Sequence, residues 1–224
     1  MEESAKRVSP FRSVFYHFNK WSKSGVIEKL NRALVAHDRQ REDRDAEPSV
    51  LCIDCQLVKC GPMVSESKGL NGNKRVNGRG RTLLVDSGGR VLAVHVDAAN
   101  VHDGKSGIAL IKKLSDLPKQ VGTILYDVAY NGMFAEYIRE NHKGIIPKLS
   151  SKPPSEKGFV PLAVRWVSER QFGCLNFFRR LDKDHEKITK NAESMILLAN
   201  IQMLLQISTQ KAILSLDKKR IHSA

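Results

Sequence analysis

No apolar run in this chain is long enough to cross a bilayer. The most apolar stretch, Met195 to Ile207, is interrupted by Asn200, Gln202 and Gln206 and reads as a core helix. The opening Met-Glu-Glu-Ser-Ala-Lys is too charged to begin a secretory signal, and no apolar core follows it, so a cytosolic protein is expected. Internal repeats are absent too. Cysteine is scarce: Cys52, Cys55 and Cys60 lie close together, Cys174 is far downstream, and only one Cys-x-x-Cys occurs. A structural zinc site pairs two compact knuckles, so the cysteines read instead as small half-buried residues flanking a strand end in a reducing compartment.

What the chain does have is enough apolar residue and an excess of positive charge. With 224 residues, 41% of them hydrophobic, it can bury a substantial core, and one main domain is read. A formal net charge of +13 points to a polyanionic partner, nucleic acid first, because clustered Lys and Arg gain affinity by releasing phosphate counterions.

Residues 11 to 36 place Phe15, Phe18, Trp21, Ile27, Leu30 and Leu34 at roughly helical spacing, with Gly25 breaking the stretch into two short helices. The segment His37 to Pro48 is dense in Arg, Asp and Glu and is expected to be an exposed linker or a solvated helix end. Residues 1–48 therefore read as a helical appendage with its linker, 49–214 as the main domain and 215–224 as a basic tail. Within the main domain, Ser49 to Asp54 reads as a strand, and Thr82 to Asp86 and Val91 to Val96 as a hairpin around Ser87-Gly88-Gly89-Arg90. Lys68 to Arg81 reads as a mobile basic loop carrying Lys74, Arg75, Arg79 and Arg81, a candidate phosphate-binding segment. A helix to about Leu114, a strand at Gly122 to Tyr126, a helix near Met133 to Glu140 and a strand at Gly144 to Pro147 follow. Lys148 to Pro161 reads as a loop or small insertion. Helical periodicity resumes from Val164 to Phe178, and a last helix runs from about Asn191 to Leu214.

Three acidic residues stand where this order of elements can use them. Asp54 closes the first strand, Asp127 follows the strand Gly122 to Tyr126, and Glu169 lies in the late helical pattern. Carboxylate oxygens suit hard divalent cations, and a pair of such ions serves phosphodiester chemistry. The order of elements matches a ribonuclease H-like α/β domain, a mixed sheet flanked by helices in which the first and fourth strands lie side by side and a late helix crosses their ends.

The residues also resemble the DDE transposases of bacterial insertion sequences. The resemblance covers about residues 11 to 207. It runs through Phe15-Tyr16-His17-Phe18-Asn19-Lys20-Trp21, Ile53-Asp54-Cys55-Gln56-Leu57-Val58-Lys59, Leu84-Val85-Asp86-Ser87-Gly88-Gly89, Ala99-Asn100-Val101-His102-Asp103, Asp127-Val128-Ala129-Tyr130-Asn131-Gly132 and Arg165-Trp166-Val167-Ser168-Glu169-Arg170-Gln171-Phe172. It implies that Asp54, Asp127 and Glu169 form a triad binding Mg²⁺, with Mn²⁺ as a substitute, and that Arg165 supports the triad or contacts substrate phosphate. Implied partners are double-stranded DNA, as terminal inverted repeats and target, and further copies of the chain assembled on it near the nucleoid. The implied reaction is cleavage at element ends followed by strand transfer from the freed 3′-hydroxyl. Cys55, Val128-Ala129 and Gln171 depart from the family pattern without removing a carboxylate. Similar transposases carry further helical sequence before Phe15, so a shortened N-terminus is expected.

Each assignment has a plainer competitor. A lone Asp54 or Asp127 is a strand-end cap, Asp86 is a turn residue, and Glu169 pairs with Arg165 at i, i+4 for about 0.2–0.5 kcal/mol. His102-Asp103 is read as a helix start with Asp at the cap. Tyr130 either supports the site or merely packs, and Arg179, Arg180 and Lys183 either hold DNA backbone or form a solvated edge. The alternatives to a transposase are a nuclease of the same fold that does not join, and a non-catalytic DNA-binding remnant.

Overall fold

A computed structural model describes residues 10–114, 116–150 and 163–221, without the side chains of 163–165 and 208–221. Arg165, most of the Lys148–Pro161 loop and the last three residues therefore lie outside the described side chains or residues. The chain begins with α1 (Phe11–Lys23) and α2 (Val26–Gln40) and continues with β1 (Val50–Lys59), β2 (Gly69–Asn71), β3 (Val76–Asp86), β4 (Val91–Ala98) and α3 (Asp103–Lys113). Then come β5 (Thr123–Tyr126), a 3₁₀ turn (Val128–Tyr130), α4 (Met133–Asn141), β6 (Ile146–Leu149), α5 (Ala163–Asn176) and α6 (Thr189–Ile221).

The six strands form one sheet in the order β2-β3-β1-β5-β6, with β4 also paired to β3. β1 is antiparallel to β3 and parallel to β5, and β5 is parallel to β6. Both faces of β1 are covered, which is why Leu51, Cys52 and Ile53 form an unbroken apolar run. Cys52 joins Val167, Phe172, Leu175 and Ile196 in the layer under α5 and α6, whereas Leu51 and Ile53 join Leu110, Phe134 and Ile138 in the layer under α3 and α4. This is a mixed α/β, ribonuclease H-like arrangement with helical flanks.

The N-terminal helices are not a loose appendage. Ile27 of α2 is buried in the α5–α6 layer, and Asn31 donates to the Val91 carbonyl while Asn200 of α6 donates to Asn31. Gly25 supplies the break expected between the helices, at φ 72°. The supposed solvated end of α2 is also corrected. Asp38 and Arg39 are buried: Arg39 donates to Asp86 Oδ2 at 2.5 Å and Arg90 donates to Asp38 Oδ2 at 2.7 Å. Asp86 is a turn residue as expected, accepting from Gly88 and Arg90 N–H groups, but it also anchors α2 to the β3–β4 hairpin.

Three further boundaries differ. β1 runs on to Lys59, so Asp54 lies in mid-strand and does not close it, because β3 pairs with β1 as far as Lys59. Residues 215–221 continue α6 instead of forming a tail. The N-cap of α3 is His102, whose Nδ1 accepts from the Gly104 N–H at 3.2 Å, so Asp103 is the first helical residue.

Candidate active site

The parallel register of β1 on β5 sets Val50 opposite Thr123, Leu51 opposite Ile124 and Cys52 opposite Leu125. Carried two residues further, the same register brings Asp54 level with Asp127, where the β1–β5 pairing runs out. Residues two apart on a strand share a face, so Asp54 lies on the side of Cys52, toward α5; Leu83, opposite Asp54 on β3, packs in that same layer. Each aspartate is half-buried and tied to the backbone that follows it. Asp54 Oδ1 accepts from the Cys55 N–H at 2.8 Å, and Asp127 Oδ1 accepts from the Val128 N–H at 2.5 Å, capping the 3₁₀ turn. These bonds orient the two carboxylates.

Glu169 belongs to α5, which packs on β1. Val167, Phe172 and Leu175 turn inward while Glu169 is exposed, so the glutamate rides on the helix that covers the aspartates' face. Among the described residues, no three His, Cys, Asp or Glu side chains stand together as a ready ion site. The donor set nevertheless fits a hard divalent cation. Expected from the sequence are the carboxylates of Asp54, Asp127 and Glu169, and the nearby thiols are unsuited to compete. Burial, reinforced by neighbouring carboxylates, raises both Cys52 and Cys55 to about 12, which keeps them protonated.

The basic candidates divide sharply. Lys74 and Arg75 sit exposed at the tip of the β2–β3 hairpin, and Arg179 is exposed after α5. Arg180 is also exposed but is engaged by Glu186 Oε1, at 2.8 Å from Nε and 2.7 Å from Nη2. Arg79 and Arg81 correct the expectation of a mobile basic loop. Both are strand residues, 0% and 1% exposed. Arg79 donates to the carbonyls of Glu66, Glu186 and Lys187 and pairs with Asp184 at 3.3 Å, and Arg81 donates to the Leu181 carbonyl at 2.6 Å. Their guanidiniums staple the segment after α5 to the sheet and are closed to a phosphate.

Tyr130 is likewise internal. It is 1% exposed, its ring meets Phe134 edge-on at 5.5 Å between centroids, and it packs in the α3–α4 layer, behind the sheet from Asp54. Burial pushes its hydroxyl well above the ordinary tyrosine value. Two residues missed in the sequence lie beside Glu169. Trp166 is exposed, and Arg170 lies over its ring at 4.7 Å while donating to the Gly88 carbonyl at 2.6 Å. Their i, i+4 spacing was the available signal.

The element order and the sheet topology define a ribonuclease H-like class of domain. A family model of the transposase DDE domain matches residues 45–204, and the chain belongs to that family. No curated protein matches it. Among the described residues, no helix is long and apolar enough to cross a membrane.

Proposed function

We propose that the chain is a divalent-metal-dependent DNA transposase in which Asp54, Asp127 and Glu169 are the metal-binding and catalytic carboxylates. The observation that supports this reading is the β1–β5 register, which pairs Val50 to Cys52 with Thr123 to Leu125 and, continued by two residues, would set Asp54 level with Asp127 under α5. Mg²⁺, or Mn²⁺ in its place, supplies Lewis acidity to the attacking and leaving oxygens of a phosphodiester. The protein's part is to fix where those oxygens sit. The backbone bonds to Cys55 and Val128 hold the two aspartates in orientation, and in this reading α5, packed on β1, carries Glu169 toward them.

Cleavage forms a bond from water oxygen to phosphorus and breaks the bond to the 3′-oxygen, leaving a 3′-hydroxyl and a 5′-phosphate at the element end. In strand transfer that hydroxyl attacks a target phosphodiester, and the target's own 3′-oxygen leaves. Double-stranded DNA is the partner, with exposed Lys74, Arg75 and Arg179 contacting its backbone and Arg180 able to do so on release from Glu186. Assembly of several copies on the two element ends, near the nucleoid, is part of this reading. Arg165 remains a proposed support for the triad.

Asp54→Asn removes a ligand charge with little change in volume, so it should abolish Mg²⁺-dependent nicking and joining of DNA while circular dichroism and melting temperature stay near wild type. A variant that still cleaves at wild-type rate removes Asp54 from the site. Joining assays on pre-cleaved ends separate a transposase from a nuclease of the same fold.

A further inference from the structure

Arg170 follows Glu169 on α5 and is held from two sides. One turn earlier on the same helix Trp166 presents its ring, and the Arg170 guanidinium lies over it at 4.7 Å from the centroid. From the other side Nη2 donates to the Gly88 carbonyl at the tip of the β3–β4 hairpin, at 2.6 Å. The approach is close enough to restrict the sequence of the turn. A Cβ at Gly89, whose φ is 87°, would stand 2.9 Å from that same nitrogen.

The tip that supplies the carbonyl is a firm anchor. Asp86 Oδ1 accepts from the Gly88 and Arg90 N–H groups, each at 2.9 Å, and the Asp86 carbonyl accepts from the Gly89 N–H at 2.9 Å. Arg44 donates to Ser87 Oγ at 2.6 Å, and Asp86 Oδ2 accepts from Arg39, so the tip is fixed to α2 as well as to β3.

Packing alone holds α5 less sharply. Val167, Phe172 and Leu175 decide which side of the helix turns toward β1, but apolar contact is non-directional. A hydrogen bond to a fixed carbonyl has one length and one direction, and here the residue next to Glu169 makes it. Trp166 and Arg170 are both exposed, so their contact adds little to folding stability.

We infer that Arg170 is a positioning residue: clamped between Trp166 and the Gly88 carbonyl, it locks the turn of α5 that carries Glu169 to the β3–β4 hairpin. This rests on the three-carboxylate reading above. Arg170 is no ligand in this scheme; it acts through the backbone of α5.

The test is calorimetric titration of Mn²⁺ into the full chain without DNA, with melting temperature and amide hydrogen exchange recorded alongside. Arg170→Gln should weaken Mn²⁺ binding on the order of tenfold, the low end of what loss of an outer support costs a metal site. Its melting temperature should stay near wild type while the amides of residues 167–171 exchange faster. The sign is diagnostic, because deleting a positive charge beside a cation site would by Coulomb's law alone strengthen binding. Trp166→Leu leaves that charge in place, removes the ring behind the guanidinium, and should move affinity and exchange in the same direction. Wild-type or tighter Mn²⁺ binding in Arg170→Gln overturns the latch and leaves the triad standing. So does a loss of affinity that comes with a large fall in melting temperature in both variants, which marks a merely structural contact. A wild-type chain that takes up no Mn²⁺ overturns both latch and triad.

Discussion

Lys74 and Arg75 at the tip of the β2–β3 hairpin and Arg79 and Arg81 a few residues along the same strand are alike in sequence and opposite in use. The first pair is solvated, and the second is among the most deeply buried side chains in the molecule. The difference is one of partners. The hairpin tip stands out in solvent, whereas β3 runs beneath the segment after α5, whose carbonyls at Leu181, Glu186 and Lys187 accept from the two guanidiniums. Arg suits several carbonyls at once because its donors form a rigid planar fork, as Arg79 shows; Arg81 makes one such bond and leaves its buried Nε without a partner. Positive charge in a sequence therefore marks either a surface for polyanions or a clasp for loop carbonyls, and only the tertiary partner tells which.

Substitutions can break this contrast. Arg79→Ala should have the largest effect, about 3–5 kcal/mol lost in chemical denaturation, because Asp184 is left as a buried carboxylate without its counterion. A loss under about 1 kcal/mol, the range of surface ion pairs, would place Arg79 with the solvated pair. Arg81→Met, which keeps the stem and removes one charged hydrogen bond, should cost about 1.5–3 kcal/mol by the same measurement.

A half-buried histidine sharpens the comparison through pH. His95 lies 3.5 Å from Asp97 and 3.6 Å from Glu193, and these interactions, Asp97 first, outweigh burial and raise it from 6.5 to about 9. Because the folded value lies above the unfolded one, the stabilisation is full below pH 6.5 and is lost as pH climbs through about 9. Melting temperature should fall across that window in the wild type more than in His95→Gln; parallel curves would remove His95 as the cause.

Smallest in stability is the exposed pair. Replacing Lys74 and Arg75 with Ala should shift unfolding by no more than about 0.5 kcal/mol. In DNA binding, however, it should flatten the slope of log affinity against log salt by about 0.9 for each phosphate that the protein ceases to neutralise. An unchanged slope would take the hairpin tip off the DNA-binding surface.

Much of this was legible before the fold was known. Short apolar runs ending in Asp54 and Tyr126-Asp127 carried the central strands, and the Ser87–Arg90 turn carried the hairpin, because strand alternation and turn chemistry are local. The clasp was not legible. Arg79 and Arg81 follow glycines in a stretch without acidic residues, and the groups that bury them lie about a hundred residues downstream. Asp38 and Arg39 were misread for the same reason, since Asp86 and Arg90 meet them only through the packing of α2. Among the proposed site residues, Asp54 and Asp127 could be placed by counting along strands.

That hundred-residue gap also sets a schedule during synthesis. β3 leaves the ribosome well before the segment that closes over it, and at roughly 5–20 residues per second the wait is on the order of 5–20 s. Until then the two guanidiniums are solvated, the sheet lacks its clasp, and the nascent chain carries two more accessible positive charges on β3 than the finished protein does. The final closure of this domain is thus a late event, timed by translation of its C-terminal helices.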